Sequence, residues 1–138
     1  DGIEPALARG LMAIPGARAV EFSSGTSASV MRGSEHNDAW LPGDLDPVPE
    51  GADSAQADGA LGGRSTSAPI SARVHFKPPS SLPREQFTLH LPSDEIRSLK
   101  VGGRHDPVIG PRAAPVVEAV AMLVIADLGM TGGYIGTD

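Results

Sequence analysis

The sequence predicts an α+β fold. Three observations carry that prediction. Residues 70–77 alternate apolar and polar side chains, the period of a strand with one buried face. Residues 115–128 are apolar on almost every side, as in a helix buried in a core. Shorter strand and helix patterns occupy the remaining stretches, separated by some of the chain's 17 glycines and 13 prolines.

In chain order, residues 4–14 read as a helix. Pro5 suits its first turn, and Leu7, Leu11 and Ile14 recur at helical spacing. Pro15-Gly16 stops it. Residues 19–22 form a short strand, with Val20 and Phe22 on one face. Residues 31–38 are polar and without period. There His36 stands between Glu35 and Asp38, which fits a solvated loop better than a metal site, so no metal is expected. Residues 39–59 are acidic and rich in breakers, and are expected to be a flexible loop anchored by Trp40. Leu61-Gly62-Gly63 is a glycine turn, followed by the hydroxyls of Ser65 and Thr66. Such a turn brings backbone N–H groups close to a ring or phosphate, and equally serves as a plain turn.

The strand over 70–77 places Ile70, Ala72, Val74 and Phe76 toward the core. Arg73, His75 and Lys77 stand in a row on its other face. That row is a solvated face on an outer strand and an anion-binding face beside a cleft. Pro78 and Pro79 end the strand, and the hydroxyls of Ser80 and Ser81 follow. Residues 87–91 and 96–101 read as two more strands. Next comes a turn containing Arg104, His105 and Asp106, with Arg112 shortly after. Guanidinium groups fork carboxylate or phosphate, so the turn suits an anion; Arg104 and Asp106 equally suit an ion pair that closes it. The helix over 115–128 is expected to open behind Pro115 and to be largely buried.

Composition bounds the rest. The chain has 138 residues, one domain's worth, and a compact domain of this size buries roughly 68% of its unfolded surface. Cysteine is absent, which excludes disulfides and thiolate metal sites and fits a reducing compartment. The net charge of −6 argues against nucleic acid as a partner. Neither a signal peptide nor an apolar run of bilayer length is read, so no membrane association is expected. The first residue is Asp1 rather than Met, as expected of a cut or processed chain.

Five blocks, in order, resemble the chorismate synthase family. The family's S-I-P-A-x-K-G-V-E is similar to A-I-P-G-A-R-A-V-E, ending at Glu21, and its G-S-x-x-x-D is similar to the stretch from Gly33 to Asp38. Its glycine-rich block resembles Leu61-Gly62-Gly63 with Ser65, Thr66, Pro69 and Ile70. Its R-V-x-F-K-P-T-S-S resembles R-V-H-F-K-P-P-S-S, starting at Arg73. Its G-R-H-D-P-C-x-x-P-R-A-x-P-V-x-E-A resembles the stretch opening at Gly103. The chain departs from the family at Arg64, Ser67, Pro79 and Val108, and at Ala55-Gln56-Ala57.

The resemblance implies helices packed against a mostly antiparallel sheet, forming the C-terminal part of the family's domain over residues 1–138. It implies a lyase of the shikimate pathway, which leads to aromatic amino acids. That enzyme performs a 1,4-anti-elimination of phosphate from 5-enolpyruvylshikimate 3-phosphate to give chorismate. It also implies reduced FMN as cofactor, with NADPH as reductant only if the whole protein is bifunctional. By the same resemblance, FMN meets Pro15, Gly16, Gly62, Lys77, Pro78, Pro79, Ser80, Ser81 and Arg104. Asp106 is then the acid near the flavin, and Arg104 also reaches the substrate. The family's N-terminal blocks G-x-S-H-G, R-R-x-P-G-Q and R-x-S-x-R-E-T do not occur in this sequence. The missing N-terminal half is therefore an expected partner, alongside a homotetrameric, cytoplasmic assembly. A non-catalytic subunit retaining the flavin-binding half, and a paralogue acting on a related enolpyruvyl compound, are the alternatives.

Overall fold

The computed structural model describes residues 2–37, 59–65, 69–105 and 107–136. The acidic segment with Trp40 lies outside these apart from Gly59, and so do Asp38, Thr66, Ser67 and Asp106.

Helix α1, Ile3–Met12, turns Ala6, Leu7 and Leu11 inward. Strand β1, Ala17–Phe22, leaves the turn after α1 and pairs antiparallel with β4, Ala72–Phe76. Val20 faces Val74 and Phe22 faces Ala72 across the ladder, and the register slips by one residue at Arg18. Between the two strands come a 3-10 turn, Gly25–Val30, and a minimal hairpin of β2, Ala60–Leu61, with β3, Arg64–Ser65. Strands β5, Glu85–His90, and β6, Glu95–Lys100, form a second hairpin. Helix α2, Gly110–Thr131, closes the described chain.

Leu7, Leu11, Ile14 and Ala17 form the buried centre, and Val20, Val74 and Phe76 pack onto it from β1 and β4. Val117, Val120 and Val124 of α2 pack onto the same centre. The two helices run antiparallel. Gly10 meets Val120 and Val124, and Gly16 meets Ile109 just before α2 begins. At the other end, Ile3 shares a recess with Ile125 and Leu128.

The α+β class and the antiparallel pairing agree with the sequence, but three details differ. First, the strands form three separate two-stranded ladders among the described residues rather than one sheet. A lone two-stranded ladder is marginal in water, and β5–β6 leaves Phe87 and Ile96 exposed.

Second, α2 starts at Gly110, with Pro111 in its first turn and Pro115 inside it. Pro111 falls where a helix needs no N–H, whereas Pro115 forgoes one helix hydrogen bond.

Third, α2 is not largely buried: Val116, Met122, Leu123, Ile125 and Met130 are exposed. The buried apolar side chains of the described residues all belong to α1 and its exit, from Ala6 to Ala17. The core is therefore small and one-sided. At 22 residues, α2 is also long and apolar enough to cross a bilayer, by length and composition. This corrects the reading that no apolar run reaches that length. Arg112, Glu118, Asp127 and two prolines interrupt the run in the sequence, but the helix continues through them.

Candidate functional site

The local structure around Gly16 decides which candidate residues meet. Pro15-Gly16 ends the turn after α1, and Gly16 has φ +89, a conformation that glycine adopts without strain. Its carbonyl accepts the Lys77 N–H at 2.9 Å, which extends the β1–β4 ladder by one bond. A Cβ on Gly16 would stand 3.5 Å from Ile109 Cδ1 and 3.7 Å from Phe76 Cδ1. Three stretches remote in sequence therefore converge: the exit of α1, the end of β4 and the residue before α2.

Lys77 projects from this junction. It is exposed and has no ion-pair partner among the described residues. Pro78 and Ser80 beyond it are exposed, while Pro79 and Ser81 are half-buried. Arg104 is exposed and likewise without an ion-pair partner among the described residues. Four residues separate it from Ile109, a tether of at most about 18 Å. Its turn is shaped by Gly103, at φ +117, and by a hydrogen bond between His105 Nε2 and the Gly102 carbonyl at 3.2 Å. Beside the junction lies an apolar recess of about 350 Å³, lined by Val74, Phe76, Gly110, Ala114 and Val117, with Glu118 completing it.

Gly62 is elsewhere. It tips the β2–β3 hairpin, and the neighbouring Gly63 carbonyl accepts the Ile3 N–H at 3.1 Å. That fixes the glycine turn to the start of α1, roughly 15 Å of helix from the Gly16 end. A second recess, of about 580 Å³, lies there, lined in part by Gly63, Arg64, Ser65 and Tyr134.

The basic row on β4 is not an open anion-binding face. Glu21 stands opposite Arg73 in the β1–β4 register, and its carboxylate is 3.0 Å from His75 Nε2 and 3.9 Å from Arg73 Nε. Arg73 also donates to the Ser23 carbonyl at 2.5 Å. The Thr26 N–H and hydroxyl donate to the same Glu21 carboxylate at 3.4 and 3.1 Å. The His75 hydrogen bond, followed by those from Thr26, holds the Glu21 carboxyl below its usual range. Two of the three basic side chains in the row are thus engaged, and Lys77 remains. Sequence reading missed Glu21 because its role depends on register. The signal was an acid at the end of one strand pattern and two bases on another. No group of three or more His, Asp or Glu able to hold a metal occurs among the described residues.

Comparison with known proteins bears on these stretches directly. The family model described as chorismate synthase matches residues 1–130. The chain belongs to the chorismate synthase family. It is 47% identical to the chorismate synthase of Aeropyrum pernix over 131 residues, covering 92% of this chain and 33% of that protein. It is 45% identical to the Methanopyrus kandleri chorismate synthase over 133 residues, or 96% of this chain and 33% of that protein. The Haloquadratum walsbyi chorismate synthase is 36% identical over 139 residues, with 100% of this chain and 36% of that protein covered. The chain spans about a third of the length of the curated relatives it matches.

Three of the chorismate synthase blocks map onto the junction. The first ends on β1, the fourth lies on β4 and the segment after it, and the fifth leads into α2. The glycine-rich block sits at the far end of α1.

Proposed function

We propose that this chain supplies the phosphate- and cofactor-facing part of a chorismate synthase, a lyase that eliminates phosphate from 5-enolpyruvylshikimate 3-phosphate to give chorismate. One observation carries the reading. Three family blocks meet at Gly16, Lys77 and Ile109, and the cation projecting there has no internal partner among the described residues.

The residues at the junction fit an anionic, ring-bearing cofactor such as reduced FMN. Lys77 offers a compact charge with rotatable donors, and Ser80 and Ser81 offer hydroxyls a few residues on. Gly16 has no Cβ, so its backbone can approach a ring closely. Arg104 can fork a phosphate or carboxylate. Asp106 takes the part of a proton acceptor, a role that requires a raised pKa in a closed site. Gly62, at the other end of α1, joins the same set only if the ligand is extended. When bound, reduced FMN would supply electron density to the substrate while phosphate departs. In the net reaction a C–H and a C–O bond break, a C=C bond forms, and a proton and phosphate leave. This chain's contribution is to hold charge and exclude alternatives at that position.

The test co-expresses the chain with the unmatched two-thirds of the Aeropyrum pernix relative. It then measures FMN affinity, and phosphate release under reducing conditions. A hydrogen bond to a charged group contributes about 1.5–3 kcal/mol. Lys77→Ala and Arg104→Ala should therefore each weaken FMN binding by about ten- to 150-fold. Unchanged affinity in both variants would overturn the assignment.

A further inference from the structure

We propose that α2 carries a second apolar seam, and that a helix from the part of the chorismate synthase chain absent here packs along it. At 100° per residue, Val117, Val120, Ala121, Val124 and Leu128 share one face of α2. Three of them pack onto the buried centre beside α1, and Ala121 joins them. On the opposite face, Val116, Ala119, Leu123, Ala126 and Met130 recur at intervals of three, four, three and four residues. That is the spacing of a helix that meets another helix along its length. Val116 is 46% exposed, Leu123 68% and Met130 43%, with Met122 alongside at 64%.

The two acids of α2 reinforce the division. Glu118 and Asp127 each fall between the two faces, roughly 60–120° from the centre of either. Neither interrupts the open stripe. The stripe alternates larger residues with alanines, so a partner helix can approach closely over Ala119 and Ala126. A helix apolar on all sides belongs in the interior of a larger structure, and here only one side is covered. The relatives supply the missing mass, since two-thirds of their length has no counterpart in this chain. The inference rests on the family reading above, and adds which surface receives the remainder and what chemistry it presents.

The test uses the same co-expression, so that neither part must fold alone. Complex formation is followed by size-exclusion chromatography with light scattering, and affinity by titration of the labelled chain. A heteromeric complex should form, and Leu123→Glu and Ala126→Glu should each weaken it at least tenfold. Asp127→Lys, on the boundary, should change it less than threefold. Circular dichroism of each variant chain should retain the parent helix content, because Leu123 and Ala126 are not among the side chains packed on the buried centre of the described residues.

Four results would overturn the proposal: no complex; a complex indifferent to Leu123→Glu; a homodimer of the chain that Leu123→Glu dissolves; or partition of the chain into phosphatidylcholine vesicles through α2. Failure of the function reading looks different. It would give a seam-dependent complex that binds no FMN and releases no phosphate. An active complex unaffected by the seam variants would sink the docking surface alone.

Discussion

Gly10 tests the helix packing, because two opposing effects meet at one atom. Alanine there would normally favour the helix over glycine by about 1 kcal/mol. The added Cβ, however, would lie 2.7 Å from Val124 Cγ2 and 3.4 Å from Val120 Cγ1. Carbon atoms in good contact stand about 3.5–4.0 Å apart, so the nearer contact is short by roughly 1 Å. Val124 cannot swing away cheaply, since a helical valine is held almost entirely in one rotamer. The helices must instead separate, and overpacking of this kind costs about 1–3 kcal/mol. The overlap therefore outweighs the propensity gain, and Gly10→Ala should destabilise the chain by about 1 kcal/mol. That corresponds to a fall in Tm of about 4 °C for a chain of this size.

Val124→Ala removes the obstructing methyl, so in the double variant the alanine at position 10 should become neutral or favourable. The coupling between the two sites should be about 1–2 kcal/mol. The assay is thermal and urea unfolding of the four proteins, followed by circular dichroism. A Gly10→Ala variant that melts higher than the parent, or a cycle with no coupling, would refute the antiparallel contact between α1 and α2.

Glu21 makes stability depend on pH in a defined direction. Its folded-state pKa is lowered, so its contribution is fully present above the ordinary glutamate value of about 4.3 and is lost as pH falls through the folded value. Glu21→Gln should be less stable than the parent at pH 7, and the gap should close below about pH 4; a constant gap in urea titrations across that range argues against the carboxylate's role. Gly25→Ala should cost about 1–3 kcal/mol and flatten the same pH dependence, since Gly25 has φ +55 and its Cβ would fall 2.9 Å from Glu21 Cδ. Differential scanning calorimetry at two pH values reads both effects. Leu11 is 1% exposed, and Leu11→Ala should lower stability by about 2–5 kcal/mol, measured as the change in urea midpoint.

Sequence reading reached the features that depend on neighbours in the chain. The alternation around Val74 gave β4 within about two residues, and Leu7 and Leu11 gave the inner face of α1. Pro15-Gly16 gave its end. The strands around Leu89 and Leu99 were also visible, but not that they stand as a separate hairpin. Which ladder joins which is not written in alternation. The register that puts Glu21 opposite Arg73 was hidden for the same reason, and with it the loss of an open basic face. Pro115 misled the start of α2, because a proline signals a first turn only when no better-placed proline precedes it, and Pro111 does. The family blocks reached further than any local pattern, but they could not tell that the glycine-rich block sits a helix length away from the others.

The exposure of α2 has a different origin. Its hydropathy was read correctly, and the inference from hydropathy to burial failed because burial needs a second surface. Lys77 and Arg104 present the polar form of the same deficit: two exposed cations without an ion-pair partner among the described residues. A free-standing domain can expose cations at little cost, but it has no reason to keep a second apolar seam in register over about four helical turns. A piece of a larger enzyme would be expected to keep both. Under the proposed function, the seam would orient the rest of the protein, and Lys77 and Arg104 would face what that protein binds. On this argument the two features should fail independently: Leu123→Glu should cost assembly with the Lys77 junction intact, and Lys77→Ala should cost FMN affinity with assembly intact. Loss of both functions from either substitution alone would mean that seam and junction are one structural unit, and would remove the case for treating α2 as a docking face separate from the site.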